Sequence, residues 1–285
     1  MKTTNSRREI RRLLWILALC GALLAGLWFD NSAVGVTDYT VESDRLPASF
    51  DGCRIAQVSD LHNTSFGADN AALLQKIEAA TPDWILLTGD LIDANRTDIP
   101  LAVSFAEQAV QIAPVYYVPG NHESIPQYAA LREGLLQAGV TVLEDEAVTL
   151  ARGGDTLTLL GVRDPAFWPG QSAGGAIAAV LSALVPDPDD GFTVLLSHRP
   201  ELFDVYVDAG VDLVFSGHAH GGQFRLPLLG GLYAPHQGLF PQYDAGLFPE
   251  GRTQMVVSRG LGNSSFPVRL FNRPELVVVT LRAAS

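Results

Sequence analysis

Short apolar runs rich in strand-forming residues recur along this 285-residue chain, and helical patterns lie between several of them. The strand candidates are residues 54–59, 84–88, 115–118, 156–162, 193–197, 212–216, 254–260 and 275–281. The helical candidates are residues 68–80, 98–112, 125–138 and 174–184. Because buried strands that alternate with helices are typical of sheets covered by helices, the pattern predicts one α/β domain.

Polar side chains follow the carboxyl ends of five of these strands. They are Asp60, His62, Asp90, Asn121, His122, Glu123, His198, His218 and His220, and they include five of the six histidines of the protein. In open α/β sheets, ligands bind outside the carboxyl ends of the strands, so we expect these groups to meet at one rim. Carboxylates, an amide and several imidazoles at one edge indicate a metal site.

Each motif also has a purely structural interpretation when it is taken alone. The pair Gly89-Asp90 is common in turns, and Asn121 could cap the helix expected near residue 125. His198 is equally consistent with a hydrogen-bonded core histidine, and a hydrogen-bonded loop would account for His218 and His220. Only the complete set favours metal binding.

The ordered set D-x-H, G-D, G-N-H-E, H and G-H-x-H resembles the calcineurin-like metallophosphoesterase superfamily over residues 54–220. Residues 217–235, 238–248 and 258–281 resemble its membrane-anchored bacterial branch, of the YaeI/YkuE type. The resemblance implies a four-layer αββα sandwich, in which two mixed β-sheets pack face to face and are flanked by helices. It also implies hydrolysis of phosphodiester or pyrophosphate bonds.

A two-metal centre is part of what the resemblance implies. The residues that match ligands of the first ion are Asp60, His62 and His220, and those that match ligands of the second are Asn121, His198 and His218. Asp90 matches the carboxylate that bridges both ions. His122 matches a catalytic histidine outside the coordination shell, which contacts the phosphate or its leaving group.

The residue types agree with this chemistry but do not name the ions. Two divalent ions that share a hydroxide lower its pKa and neutralise the phosphate oxygens, and a carboxylate has the two oxygens that a bridge requires. Histidine, aspartate and asparagine without a thiolate form a shell that is compatible with Mn, Fe or Zn. We therefore expect two divalent ions as cofactors.

The amino terminus predicts a membrane anchor. Five basic residues lie within the first twelve, and residues 13–29 are an uncharged apolar run. At about 1.5 Å per residue such a helix spans roughly 25 Å, near the lower limit for a bilayer. The positive-inside tendency places the basic segment in the cytoplasm and the rest of the chain outside a bacterial cell membrane. A cleaved signal peptide and twin-arginine export through residues 6–12 are the alternatives.

This interpretation divides the chain into four parts. They are a cytoplasmic segment at residues 1–12, a single-pass anchor at 13–29, a juxtamembrane linker at 30–50 and the metallophosphoesterase domain at 51–285. Cys20 falls in the anchor and Cys53 in the domain, so we expect no disulfide between them. The net charge of −12 disfavours nucleic acid as a partner, and the oligomeric state stays open.

The expected substrate is a phosphoester, and its class has alternatives. The branch resemblance favours a lipid-linked molecule such as UDP-2,3-diacylglucosamine, and the apolar residues 224–233 could contact acyl chains or form a packed loop. A soluble extracytoplasmic phosphodiester or phosphomonoester is the enzymatic alternative. A non-catalytic metal-binding scaffold is the alternative from another class. His236 lies either at the substrate entrance or on a surface loop, and Glu123 either orients a ligand or begins a helix.

Overall fold

The computed structural model describes residues 3–187, 191–263 and 266–284. Its helices are α1 (Thr3–Ser32), α2 (Ala71–Ala79), α3 (Ile99–Ala109), α4 (Tyr128–Gln137), α5 (Ala173–Leu184) and α6 (Phe203–Asp208). The starts of two of them follow from local hydrogen bonds: the Asp98 side chain accepts from Leu101 N before α3, and Ser172 accepts from Gly175 N before α5. Such caps satisfy backbone donors that the first helical turn leaves unpaired.

The strands form two large sheets and two short hairpins. In chain order they are β1 (Gly35–Ser43), β2 (Arg54–Val58), β3 (Trp84–Leu87), β4 (Val115–Tyr117), β5 (Thr141–Val142), β6 (Glu146–Arg152), β7 (Asp155–Gly161), β8 (Thr193–Leu196), β9 (Leu213–Ser216), β10 (Arg225–Leu226), β11 (Gly230–Gly231), β12 (Tyr233–Ala234), β13 (Gly238–Leu239), β14 (Gly246–Glu250), β15 (Thr253–Val257) and β16 (Glu275–Ala283).

Both large sheets are mixed. The first sheet has the order β1-β16-β2-β3-β4-β5, and only the β16–β2 pair is antiparallel. The second has the order β14-β15-β9-β8-β7-β6, with antiparallel pairs at its two edges. Strands β2, β3 and β4 run parallel in the first sheet, as do β8 and β9 in the second, so the loops after each group share one edge.

The core lies in three layers, and strand β16 shows how they are separated. Val277 and Val279 belong to the cluster between the two sheets, whereas Leu276 and Val278 belong to the cluster beneath α2, α3 and α4. This alternation is the two-residue period of a strand that is buried on both faces. A third cluster joins the second sheet to α5 and α6. The result is the αββα sandwich that the resemblance implies.

Residues 30–50 differ from the linker that we expected. Strand β1 lies within them and pairs in parallel with β16 along its whole length. It is an edge strand in which Tyr39 and Val41 pack on the core while Asp38 and Thr40 are exposed. Because apolar and polar residues alternate along β1, fewer than half of its residues are apolar. The segment therefore resembles a polar linker in the sequence. The sheet therefore begins at residue 35.

Helix α1 extends away from this core. Within the described residues, it is the one helix long and apolar enough to cross a membrane, over Arg8–Ser32, and none of its apolar window is buried. Leu14, Trp15 and Leu24 are all more than half exposed. A helix with apolar side chains on every face and no protein around it is suited to lipid.

Candidate metal centre

The loops that follow β2, β3, β4, β8 and β9 carry the polar residues to one rim, as the sequence predicts. Several of these residues hold a left-handed backbone, with φ of 52° at Asp60, 47° at His62, 53° at Asp90, 64° at His218 and 48° at His220. Non-glycine residues adopt this conformation at a free-energy cost, and they keep it where the surrounding structure imposes it, often at functional sites. The loops therefore turn sharply enough to direct their side chains back towards the sheet edge.

Two glycines allow the loops to approach each other closely. A Cβ atom on Gly217 would overlap Ser59 Oγ and Asp60 Oδ2, and a Cβ on Gly120 would overlap Asp90 Oδ1. The absence of side chains at these positions lets the carboxylates lie against the neighbouring backbone. Any larger residue there would displace a carboxylate from the rim.

The first cluster of potential ligand atoms contains Asp60, His62, Asp90 and His220, all of them buried. The Nε2 atoms of His62 and His220 are 3.2 Å apart. His220 Nε2 is 3.3 Å from Asp60 Oδ1, and His62 Nε2 is 3.5 Å from Asp90 Oδ2. These four ligand atoms face a common point.

The second cluster contains Asp90, His198 and His218, which are also buried. Asp90 Oδ2 is 3.2 Å from His198 Nε2, and His198 Nε2 is 3.2 Å from His218 Nδ1. The same oxygen of Asp90 therefore takes part in both clusters. Its other oxygen, Oδ1, accepts a hydrogen bond from His122 N at 2.9 Å, which fixes the carboxylate plane.

Asn121 provides an independent test of whether a cation fits here. Its Oδ1 atom is buried and has no hydrogen-bond partner within the described residues, and the residue lines the same cavity as Asp90 and His218. A buried amide oxygen without a donor is costly unless a ligand satisfies it. Together with imidazole nitrogens and carboxylate oxygens directed at each other, this orphaned acceptor fits a divalent cation.

Burial controls the charge of the histidines in the first cluster. It lowers the pKa of His62 and of His220 to about 3, against the weaker opposing effect of Asp90 and Asp60 respectively. Both rings are therefore neutral at neutral pH, and a neutral imidazole is the form that binds a metal. Burial, followed by the positive charge of His198, lowers the pKa of His218 as well.

His198 behaves in the opposite way. Burial alone would lower its pKa, but the carboxylates of Asp90, Asp60 and Asp164, with Asp90 contributing most, together outweigh burial and raise the pKa to about 10. His198 in turn holds the pKa of Asp90 well below its usual range, although burial opposes this. Without a metal ion, His198 is therefore positively charged and Asp90 negatively charged. The proton on His198 Nε2 then occupies the position from which that nitrogen would bind a metal.

His122 lies beside the two clusters. Its Nδ1 accepts a hydrogen bond from Ala94 N at 3.0 Å, and its ring contacts the His62 ring edge-on, with centroids 4.5 Å apart. Because Nδ1 accepts, the neutral ring carries its proton on Nε2. His122 lines the cavity, so this proton can be offered to a bound molecule.

Glu123 is fully buried and secures the loop that carries Asp90. Its Oε2 accepts from Asp90 N at 2.9 Å and from Gly120 N at 2.7 Å, and its Oε1 accepts from Ile92 N at 3.1 Å. Burial and the nearby Asp90 carboxylate raise the pKa of Glu123 to about 8. The three backbone donors join the loops after β3 and β4 through one side chain.

Sequence reasoning missed a second set of contacts around the histidines. Arg199 pairs with Asp164, with Nη2 donating to Oδ1 at 2.8 Å, and its Nη1 is 3.3 Å from His218 Nε2 and 2.7 Å from His236 Nδ1. Arg269 is fully buried, with Nη2 3.4 Å from His220 Nδ1. The only local signal was the position of Arg199 next to His198.

A cavity of about 320 Å³ opens over the two clusters. Its lining includes Asp90, Asn121, His122, His218, His220, Tyr233, His236 and Phe266. His236, which the sequence left between an entrance position and a surface loop, is at this cavity, with 56% of its side chain exposed. The potential ligands, His122 and an apolar wall therefore face one space of a size suited to a small ligand.

The family model for calcineurin-like phosphoesterases matches residues 53–222, more than half of the chain. The chain belongs to the calcineurin-like phosphoesterase family. It is accordingly a hydrolase that acts on phosphoester bonds, and members of this family typically bind two divalent metal ions. The family, the fold and the enzyme class predicted from the sequence are confirmed.

Relatives agree with this membership. The chain is 28% identical to the uncharacterized metallophosphoesterase YkuE of Bacillus subtilis (strain 168), over 100% of both chains. It is 32% identical to the phosphodiesterase YaeI of Escherichia coli (strain K12), over 80% of this chain and 82% of that protein. The crystal structure of TT1561 of Thermus thermophilus has a similar fold, with a TM-score of 0.50, 17% identity, and coverage of 73% of this chain and 89% of that one.

Proposed function

We propose that this phosphoesterase holds two divalent ions at the rim and cleaves phosphodiester or pyrophosphate bonds. The observation that carries the proposal is the position of Asp90 Oδ2, which lies within 3.5 Å of His62 Nε2 and 3.2 Å of His198 Nε2. One carboxylate oxygen that belongs to two clusters is suited to a bridging position. The two ions would activate water and neutralise the charge of the phosphate.

The proposed ligands follow the two clusters. Those of the first ion are Asp60, His62 and His220, those of the second are Asn121, His198 and His218, and Asp90 is shared. The orphaned Oδ1 of Asn121 supports its place in the second set, which lacks a carboxylate of its own. The ligand types are compatible with Mn, Fe or Zn.

The proposed catalytic residue outside the coordination shell is His122. Its Nε2 proton is directed by the hydrogen bond that Nδ1 accepts from Ala94 N, and the ring lines the cavity. In this role His122 donates a hydrogen bond or a proton to the leaving oxygen of the ester. A proton that is transferred in this way is restored to the ring from solvent.

The proposed location is the outer face of a bacterial cell membrane, with α1 as a single-pass anchor. The apolar, exposed helix and its basic amino-terminal flank support this arrangement. A lipid-linked phosphoester, of which UDP-2,3-diacylglucosamine is an example, is the proposed substrate class. The apolar side chains of Tyr233 and Phe266 in the cavity lining support an amphiphilic substrate.

Hydrolysis by the full-length protein in detergent tests these proposals. The protein is freed of metal with a chelator, reloaded separately with Mn, Fe or Zn, and assayed with bis(p-nitrophenyl) phosphate and with UDP-2,3-diacylglucosamine. Metal-dependent cleavage of both is expected. Cleavage of the simple diester alone would refute UDP-2,3-diacylglucosamine as a substrate and favour a soluble phosphoester, and inactivity with every ion and substrate would favour a metal-binding scaffold.

Topology is tested separately with reporter fusions. A carboxyl-terminal alkaline phosphatase fusion is active only outside the cytoplasm. A green fluorescent protein fusion fluoresces only in the cytoplasm, because the protein does not become fluorescent when it is exported in an unfolded state. An active phosphatase fusion is expected. A fluorescent carboxyl terminus would overturn the proposed orientation without affecting the proposed chemistry.

A further inference from the structure

Exposed apolar side chains cluster on two loops beside the cavity. We call this set the apolar rim, and its members are Leu226, Leu228, Leu229, Phe266, Val268 and Phe271. Leu228 is fully exposed, Leu229 is 67% exposed and Phe271 is 63% exposed. Single exposed apolar residues are ordinary, whereas a contiguous group of this kind marks an interaction surface.

The two loops of the apolar rim form one surface. Arg225 N donates to Leu270 O at 3.0 Å, so the β10–β11 hairpin lies beside the loop that contains Phe271. Phe271 lines a surface depression together with Leu226 and Leu228. These three side chains therefore share one face, Leu229 is next to Leu228 on the hairpin, and Phe266 and Val268 lie on the same loop as Phe271.

Two residues of the apolar rim lie at turns with a strained backbone. Leu228 has φ of 70° and Phe271 has φ of 51°, both in the left-handed region. Bulky residues rarely adopt this region, and a glycine would do so without strain. The chain instead places a large apolar side chain at each of these two turns.

The end of helix α1 is attached to the same loop. Asp30 Oδ2 accepts from Phe271 N at 2.7 Å, and Asn31 Oδ1 accepts from Arg269 N at 2.7 Å. The Arg273 guanidinium lies 4.4 Å from the centroid of the Phe29 ring. These contacts fix the apolar rim beside the last turn of the anchor.

The level of the membrane surface follows from the anchor. Trp28 and Phe29 are exposed at the outer end of the apolar run, the position at which aromatic residues mark a membrane interface. Asp30 is only about 1.5 Å further along the helix, and it contacts the backbone of Phe271. The apolar run covers roughly 25 Å, less than the hydrocarbon thickness of about 30 Å, and such a mismatch draws the flanking protein surface towards the lipid.

We propose that the apolar rim is a docking surface for the outer leaflet of the membrane that α1 crosses. Its side chains lie at the boundary between head groups and acyl chains, and they hold the catalytic domain in one orientation. The proposal rests on the proposed anchoring by α1 and is independent of the reaction. Phe266 belongs both to the apolar rim and to the cavity lining, so the cavity opens next to the lipid surface.

Fluorescent labels on the full-length protein test this arrangement. Cys20 in the anchor is replaced by alanine, and Cys53 is buried and inaccessible to label. Leu228→Cys, Phe271→Cys and, as a matched control, Leu136→Cys are each labelled with the environment-sensitive dye NBD. Leu136 is an exposed leucine on α4, 44% accessible. The proteins are placed in nanodiscs of phosphatidylcholine and phosphatidylglycerol, with and without bromine on the acyl chains.

The expected result is quenching by brominated lipid that is several-fold stronger at positions 228 and 271 than at 136, with iodide in the water showing the reverse order. Equal access of iodide to all three positions would overturn the proposal. Shielding from iodide without quenching by brominated lipid would also overturn it, because a protein partner then covers the surface. Co-elution with nanodiscs reports insertion of α1 separately, and circular dichroism confirms that each variant is folded.

Discussion

The two sheets contribute different chemistry to the same rim. The loops of the first sheet supply the carboxylate and amide oxygens together with one imidazole, and these groups are Asp60, His62, Asp90 and Asn121. The loops of the second sheet supply only imidazoles, from His198, His218 and His220. The first side therefore provides the negative charge, and the second provides most of the nitrogen donors.

The clusters do not follow this division, because each of them takes groups from both sheets. Asp60 accepts from His218 N at 3.1 Å across the boundary, and Asp90 Oδ2 lies 3.2 Å from His198 Nε2. Neither of these two clusters is complete within one sheet. The centre thus depends on the face-to-face packing of the sheets, and Asp90 is the residue through which both clusters meet.

The sharpest test of this comparison is the number of ions lost on replacing one ligand from each sheet. Asp90→Ala should lose both ions and reduce hydrolysis to the background, because it removes an atom from each cluster. His218→Ala should lose only the second ion, because His218 belongs to the second cluster and not to the first. Metal content is measured by mass spectrometry on the folded proteins.

The control for these variants is Asp38→Ala. Asp38 lies on β1 at the edge of the first sheet, and its side chain is 68% exposed. It should retain two ions and full activity. If Asp90→Ala still binds two ions, Asp90 is not the bridge.

A second test separates catalysis from ligation on the first sheet. His122→Ala should retain both ions but lower turnover by about 10²–10⁴-fold, the usual contribution of a positioned acid or base. Metal content and turnover are measured on the same sample. Unchanged turnover in His122→Ala would remove this residue from the mechanism.

A third test concerns the side chain that holds the first-sheet loops together. Glu123→Gln replaces a carboxyl group whose two oxygens accept three backbone hydrogen bonds with an amide that has only one acceptor oxygen. We expect about 1–3 kcal/mol less free energy of unfolding in the metal-free protein and about 10–100-fold weaker metal binding. Denaturant unfolding and zinc titration measure the two quantities.

The matched control is Glu133→Gln on α4, whose exposed carboxylate accepts from Gln137 on the same helix. It should leave both quantities unchanged. Equal behaviour of the two glutamine variants would mean that Glu123 does not position Asp90.

The sequence predicted the parts of the molecule whose signals are local. The ligand-bearing strands are continuous apolar runs, and each is followed within a few residues by its polar group. Strand β1 was missed because an edge strand alternates Tyr39 and Val41 with exposed polar residues. Helix α6 was missed because six residues are too few to show a helical period.

The unpredicted part of the site consists of contacts between distant segments. Arg199 reaches Asp164 across 35 positions, and Arg269 reaches His220 across 49. No spacing rule connects such pairs. Asp164 and Arg199 follow the neighbouring strands β7 and β8 of the second sheet, and Arg269 lies in the loop between β15 and β16. Sequence motifs could therefore predict the candidate ligands but not the arginine side chains that contact the histidines.

A test of pH dependence distinguishes His62 on the first sheet from His198 on the second. The lowered pKa of His62, about 3 against an ordinary 6.5, means that the unfolded chain binds a proton which the folded chain does not. Stability of the metal-free protein should therefore fall as pH decreases from about 6.5 towards 3. The raised pKa of His198, about 10, has the opposite sign: its contribution is complete below about 6.5 and is lost as pH rises towards 10.

Denaturant unfolding of the metal-free protein between about pH 3 and pH 10 measures the fall in stability on the acid side and on the alkaline side. His62→Gln should make the fall in stability at acid pH shallower, with the remainder due to His218 and His220, whereas His198→Gln should make the fall at alkaline pH shallower. If His62→Gln also made the fall at alkaline pH shallower, the charge states of the two histidines would be coupled. The two sheets would then titrate as one unit, although they supply different groups to the rim.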